Sequence, residues 1–177
     1  RHIPIATLPG MWERTITIGS GGKTFSFTGW KVGWAYGPSA LIGAVKVVRQ
    51  HLSFVSGGPF QYAIAHGLGM PDQYFSEFRH DLSAKRDLLS GGLTELGLRA
   101  IPSQGTYFLT TDVRPLGYDD GLTFCRDIAE RARVVAIPHQ LLCDDEGIAA
   151  PYVRWAFCKK PDVLREAISR LTTGLQA

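Results

Sequence analysis

Cysteine is scarce and unpatterned in this chain of 177 residues. Cys125, Cys143 and Cys158 are odd in number and lack paired-ligand spacing, which argues against a disulfide framework or a bound zinc and for reduced thiols in a cytoplasmic protein. Runs of one charge sign are missing as well. A net charge of +3 is spread without a Lys/Arg block or basic stripe, so nothing supports a nucleic-acid partner. The apolar stretches are short and broken by glycine and charge, so no membrane span is expected. Neither an internal repeat nor a low-complexity tract occurs. The chain opens on Arg1-His2-Ile3-Pro4, with no methionine and no signal-like segment. What is left, 45% hydrophobic and 20% charged residues, is the make-up of a globular protein with one sizeable core or two small ones.

The stretch Ser20-Gly21-Gly22-Lys23-Thr24-Phe25-Ser26-Phe27-Thr28-Gly29-Trp30-Lys31-Val32-Gly33-Trp34 carries most of the chemical information. It puts Lys23 in a Gly/Ser loop after the β-branched run Arg14-Thr15-Ile16-Thr17-Ile18, with a second cation, Lys31, at the head of another apolar run. A lysine on a tight turn between strands can be desolvated and aimed, as an imine-forming amine requires. Small neighbours let backbone N–H groups and the Ser20 hydroxyl approach an anion closely. Lysine, serine and second cation together point to an aldehyde cofactor that also carries a phosphate. Two other readings compete. Gly22-Lys23-Thr24 mimics the end of a nucleotide-binding P-loop, but Thr17 stands where that motif needs its first glycine, and no long amphipathic helix follows. A surface hairpin with a solvated lysine is the second.

These residues resemble the lysine motif of class I/II aminotransferases, the fold type I enzymes that use pyridoxal 5′-phosphate (PLP). Ser20 and Lys23 match its Ser-x-x-Lys part; Thr28, Gly29, Trp30, Lys31 and Gly33 match the Thr-Gly-Trp-Arg/Lys-x-Gly part. Gly105-Thr106-Tyr107-Phe108 is similar to the family's Gly-x-Tyr-Phe strand, and Val153-Arg154-Trp155-Ala156-Phe157 to the strand whose arginine holds the substrate carboxylate. Leu8-Pro9-Gly10-Met11 and Arg114-Pro115-Leu116-Gly117-Tyr118 are most similar to the branch holding N-succinyldiaminopimelate aminotransferases and kynurenine or methionine-type aminotransferases.

The resemblance implies an α/β chain: residues 1–75 as the C-terminal part of a large PLP-binding domain, and 76–177 as a small C-terminal domain entered by a long linking helix. It implies that Lys23 forms the Schiff base and shuttles the proton, that Ser20 and Lys31 hold the PLP phosphate, and that Arg154 clamps the carboxylate of an amino acid or 2-oxo acid. Burial and Lys31 are expected to favour the neutral Lys23 amine. Phe54, within Ser53-Phe54-Val55-Ser56-Gly57-Gly58, matches a position that reaches into the partner's pocket in a homodimer; helix-end packing is the alternative. The family's ring-nitrogen Asp, its Asn and Tyr near the ring oxygen, and its stacking aromatic precede the lysine motif, and none is identifiable before Lys23. The chain is therefore expected to be the C-terminal portion of an aminotransferase, with a cysteine-conjugate β-lyase and a non-catalytic fragment or assembly module as alternatives.

From the residues themselves, Arg154 amid apolar neighbours needs an anion, either a ligand carboxylate or an acid of its own chain. Tyr107 reads as a core aromatic, and His139 as a surface histidine in a loop beside the substrate pocket. Strands are expected over 14–19, 31–36, 98–101, 107–111, 134–137 and 152–158. Ser39 is expected to cap one helix and Asp72 a long one with Phe75, Phe78, Leu82, Leu89, Leu93 and Leu96 inward and Gly97 just past its end. Further helices are expected over 60–68, over 121–131 and after Pro161.

Overall fold

The computed structural model describes residues 2–55 and 57–176. The chain divides into two compact units, Arg1–Pro71 and Asp72–Ala177.

The first unit opens with 3₁₀ turns at Ile5–Thr7 and Trp12–Arg14, then forms an antiparallel hairpin of β1 (Thr17–Ser20) and β2 (Gly33–Tyr36). Both strands start later than the β-branched pattern predicts. Thr15 N–H still bonds back to Trp12 O (3.2 Å), and Lys31 is left-handed, so neither end can join the ladder. Lys23, expected in a loop, instead lies on a one-turn helix, α1 (Gly21–Thr24), closed by Phe25 N–H to Gly21 O at 2.9 Å. The helix α2 (Ser39–Leu52) is capped by Pro38, not by Ser39; Ser39 is its first residue and makes no capping bond. Pro59 stands in the first turn of α3 (Gly58–Leu68), where its missing N–H costs nothing. Among the described residues of this unit, Val32 and Ile64 are the buried apolar side chains, while Ile18, Val47, Val48, Leu52 and Tyr62 are exposed.

The second unit begins with α4 (Asp72–Glu95). Its end follows the expected C-terminal pattern. Gly97 (φ +85°) lets Leu98 N–H bond to Leu93 O (2.8 Å) while its own N–H bonds to Thr94 O (2.9 Å). Only the second half of α4 enters the core: Leu89 and Leu93 are buried, Leu82 and Leu96 border the cluster, and Phe75 and Phe78 are half-buried outside it. There follow β3 (Ala100–Ile101), β4 (Phe108–Asp112), α5 (Gly121–Arg131), β5 (Ile137–Pro138), α6 (Glu146–Ala149), β6 (Tyr152–Ala156) and α7 (Pro161–Gln176). The Asp120 side chain caps α5 through Thr123 N–H (2.9 Å), which holds its carboxyl below the usual carboxylate range. The strands pair antiparallel in the order β3-β4-β6-β5. Of the expected strand over 134–137, only Ile137 pairs; Arg133, left-handed at φ +56°, precedes it.

Strand alternation decides which side chains meet the helices. Leu109, Thr111 and Val113 of the β4 segment and Val153, Trp155 and Phe157 of the β6 segment are buried among Phe124, Ile128, Leu164 and Leu171. Thr111, fully buried, accepts a hydrogen bond from Trp155 Nε1–H at 2.8 Å, which satisfies both polar groups inside an apolar core. Helices α4 and α7 meet closely because Gly92 has no side chain: a Cβ there would lie 2.5–2.7 Å from three Ile168 carbons. No helix among the described residues is long and apolar enough to cross a membrane.

Three outcomes are expected. Gly92→Val should destabilise the protein by about 2–3 kcal/mol in urea unfolding, because Ile168 cannot retreat at its branch carbon. Gly91→Ala, whose Cβ would meet nothing within 4 Å, should be neutral or stabilise by up to about 1 kcal/mol. In native-state hydrogen exchange, the β4 and β6 amides should be protected well beyond those of β1 and β2, since the hairpin's unit buries so few apolar side chains.

Candidate active site

The turn between β1 and β2 is built by close backbone approach. Gly21 N–H donates to Val32 O (2.9 Å), and Ser20 pairs with Gly33 across the ladder. A Cβ on Gly33 would lie 2.4 Å from Gly19 O, and one on Gly22 would lie 2.7 Å from Thr28 Cα. Any larger residue at either position would push the turn apart. Aromatic rings brace the far side: Trp30 lies 4.6 Å from Phe27 and 4.6 Å from Phe60, centroid to centroid. Phe25 fills the space over Gly67 of α3, where a Cβ would come within 2.8 Å of the ring. The apolar members of the motif thus anchor the turn, and its polar members are left at the mouth.

That mouth is a pocket of about 320 Å³ to which Ser20, Lys23, Thr28 and Lys31 all contribute. Among the described residues no acid lines it. Lys31 adopts φ +52°, ψ +44°, a left-handed conformation costly for a residue with a Cβ, and this turns the chain from the 3₁₀ turn Thr28–Trp30 into β2. Two ammonium groups, two hydroxyls and no carboxylate make a donor set suited to a phosphate monoester. The expected burial of Lys23 is not met: Lys23, Ser20 and Lys31 are all exposed. The physical reason is that a two-stranded hairpin and one helical turn supply a floor and rim, without a cover.

Arg154 belongs to the second unit and lies on the sheet face turned away from the helices. Directly opposite it stand Thr110 on β4 and Ile137 on β5. Its guanidinium rests 4.2 Å from the centre of the Phe108 ring, and its Nε is buried without a hydrogen-bond partner. Among the described residues no carboxylate pairs with it, so the own-chain salt bridge weighed from the sequence does not form. A stacked, half-buried guanidinium with an unused donor has the chemistry to bind a carboxylate.

His139 corrects the sequence reading. It is half-buried, not a surface histidine, and its Nε2 lies 3.0 Å from Thr110 Oγ1. Burial and then the Arg154 charge hold its imidazole below the usual histidine range. The signal was only in the pairing: nothing in Pro138-His139-Gln140 names Thr110 as a partner. Tyr107 is half-buried beside Phe108 at 4.4 Å, in line with a packing role. Phe54 lines neither site. It is 73% exposed and left-handed (φ +53°) just past α2, its N–H bonded to Arg49 O, and Ser56 of the same phrase lies outside the described residues. Cys125 is buried with its thiol pushed up to about 12, which makes it inert as a nucleophile.

Comparison with known proteins follows this division of labour. The family of aminotransferases of class I and II matches residues 4–171. A probable N-succinyldiaminopimelate aminotransferase of Mycobacterium tuberculosis is 48% identical over 97% of this chain and 45% of its own length. A kynurenine–oxoglutarate transaminase of Dictyostelium discoideum is 41% identical over 96% of the chain and 44% of its own. Among solved structures, the N-succinyldiaminopimelate aminotransferase of M. tuberculosis superposes with a TM-score of 0.92 at 49% identity, covering 97% of this chain and 45% of that one. YbdL of Escherichia coli, described as having a methionine aminotransferase function, superposes at 0.89 with 32% identity, covering 96% and 44%. The chain spans about half the length of the curated relatives it matches. With the lysine turn, the Gly-x-Tyr-Phe strand and the arginine strand all inside the matched region, this chain belongs to the aminotransferase class I and II family.

Proposed function

We propose that this chain carries the lysine, the phosphate-holding residues and the carboxylate-holding arginine of a PLP-dependent aminotransferase whose amino donor is N-succinyldiaminopimelate. The observation that carries the reading is the acid-free pocket shared by Ser20, Lys23 and Lys31. Residues 1–75 then form the end of the large cofactor-binding domain, and 76–177 the small domain. The choice of donor rests on the relative named above at 48% identity; the kynurenine–oxoglutarate transaminase at 41% supports an aromatic donor as the second reading.

When bound, PLP supplies an aldehyde that takes up the amine and a ring that withdraws electrons from the substrate. Ser20 donates its hydroxyl hydrogen to a phosphate oxygen, and Lys31 neutralises the phosphate charge as a point cation without the two-pronged geometry of arginine. The Lys23 amine would serve as the base that takes the substrate Cα proton and, once protonated, as the acid that delivers it to the carbon supplied by the aldehyde, on the other side of the nitrogen. In this reading the cover that desolvates Lys23 comes from outside the hairpin. Arg154 donates two parallel N–H bonds to the substrate carboxylate, Nε among them, with Phe108 fixing the guanidinium plane. The exposed Phe54, beside exposed Leu52 and Val55, supports a homodimer in which it enters the partner's pocket. The three unpaired thiols support a cytoplasmic setting.

Two measurements on the whole protein test this. Lys23→Ala should lower kcat by at least about 10³-fold and abolish the absorbance change on adding PLP; retained turnover would refute the assignment. Arg154→Lys should raise KM for both amino donor and 2-oxo acid about 10- to 100-fold with a smaller change in kcat, as loss of a two-pronged carboxylate contact requires. Equal kcat and KM for the variant would remove Arg154 from the site.

A further inference from the structure

The outer face of the second unit's sheet brings together residues that no strand places side by side on its own. Thr110 and Arg154 are directly paired across β4 and β6, so their side chains share a face. His139 follows β5, on the other side of β6, yet its Nε2 reaches Thr110 Oγ1 at 3.0 Å. Neighbouring strands are about 4.8 Å apart, so a link from beyond β5 to β4 must pass over β6. It passes at the register of Arg154, which is opposite both Thr110 and Ile137. The imidazole therefore crosses β6 at the Arg154 position, and on that same face the guanidinium rests over Phe108.

Two basic groups on one face of the sheet, with no acid paired to either among the described residues, form an arrangement that an anion completes. The charged groups on the elements packed against His139 do not fill this role. On α6, Glu146 is solvent-exposed and the Asp145 carboxylate is engaged by Ile148 N–H. On α5, Asp127 pairs with Arg131 and accepts from the Tyr118 hydroxyl, and the remaining charges are Arg126 and Glu130. On β4, Asp112 is taken by Arg114, and β6 adds Tyr152 and Arg154. Arg154 is the charge that acts on the imidazole.

We propose that His139 and Arg154 form one anion site, in which the carboxylate bound by Arg154 is taken up together with a proton on the His139 imidazole. This rests on the reading of Arg154 as the carboxylate-binding residue and adds a second, proton-linked contact to it. Without the anion, the guanidinium repels an imidazolium and His139 stays neutral, its Nε2 joined to the Thr110 hydroxyl. A carboxylate on Arg154 cancels that repulsion. The imidazole then takes a proton from solvent, both ring nitrogens become donors, and the Thr110 hydroxyl turns to accept. The sign follows from linkage. The protonated site binds the carboxylate better, so affinity rises as pH falls through the His139 midpoint of the complex and levels off below that of the free protein.

The test uses the whole protein, in whose second unit all four residues lie, with L-lactate as a carboxylate probe that stays ionised above about pH 5. The His139 ring signal, identified in ¹³C-histidine NMR by its loss in His139→Gln, is titrated with and without saturating lactate. The midpoint should rise by about one pH unit on binding, and lactate affinity should fall about tenfold from pH 5.5 to pH 8. In His139→Gln, whose amide can still bond to Thr110, that dependence should flatten to less than about twofold. Arg154→Gln should lose lactate binding and raise the His139 midpoint in the free protein. If lactate binds through Arg154 and the His139 midpoint does not move, the proton-linked site is wrong and the arginine reading stands. If lactate binding is absent, or is unchanged in Arg154→Gln, the arginine reading falls and this inference with it.

Discussion

Everything in the second unit depends on the alternation of the β4–β6 pair. With Leu109 opposite Trp155 and Thr111 opposite Val153, one set of side chains faces α4, α5 and α7. The intervening set, Phe108, Thr110 and Arg154, faces the other way. A slip of one residue would drive the guanidinium into the core and expose Trp155, so the register is held by the cost of burying an unpaired charge. The Trp155–Thr111 hydrogen bond adds a directional constraint to that non-directional one, since only this register gives the buried indole N–H and threonine hydroxyl each other. The core and the face that carries Arg154 are thus two sides of one pairing.

The lysine turn obeys a different constraint. Its shape comes from missing side chains, at Gly19, Gly21, Gly22 and Gly33, where backbone or neighbouring side-chain atoms occupy the space a Cβ would take. Large aromatics then anchor it from outside through Phe25, Phe27, Trp30 and Phe60. Tight glycine contacts and ring packing impose the geometry, which explains how a unit with so little buried apolar surface still presents Ser20, Lys23 and Lys31 to one pocket. The left-handed Ser26 and Lys31 are residues at which this construction stores strain.

Much of the architecture was legible in the sequence, for identifiable reasons. Helix α5 spans 121–131 as expected, because an Asp cap precedes it and its apolar residues recur at helical spacing. Gly97 ends α4 as its position predicts, because a left-handed turn at that point excludes most side chains. Local signals failed where a neighbour competed. Ser39 has the chemistry of a cap, but Pro38 already takes that place in an extended conformation. Lys23 falls in a Gly/Ser run that reads as loop, yet the contact of Gly21 with Val32 winds it into a helical turn. The inward positions of α4 recur along its whole length, but the core cluster takes in its apolar residues only from Leu82 onward.

The order of residues alone determined the family, the lysine turn with its two cations and serine, and the arginine strand, because these are properties of contiguous segments with strong local chemistry. Only the folded chain decided what surrounds them. It left Lys23 exposed, gave Arg154 no acid among the described residues, and set His139 across β6 on Thr110. Such contacts join positions far apart along the backbone, and strand order and register bring them together, so no local pattern encodes them.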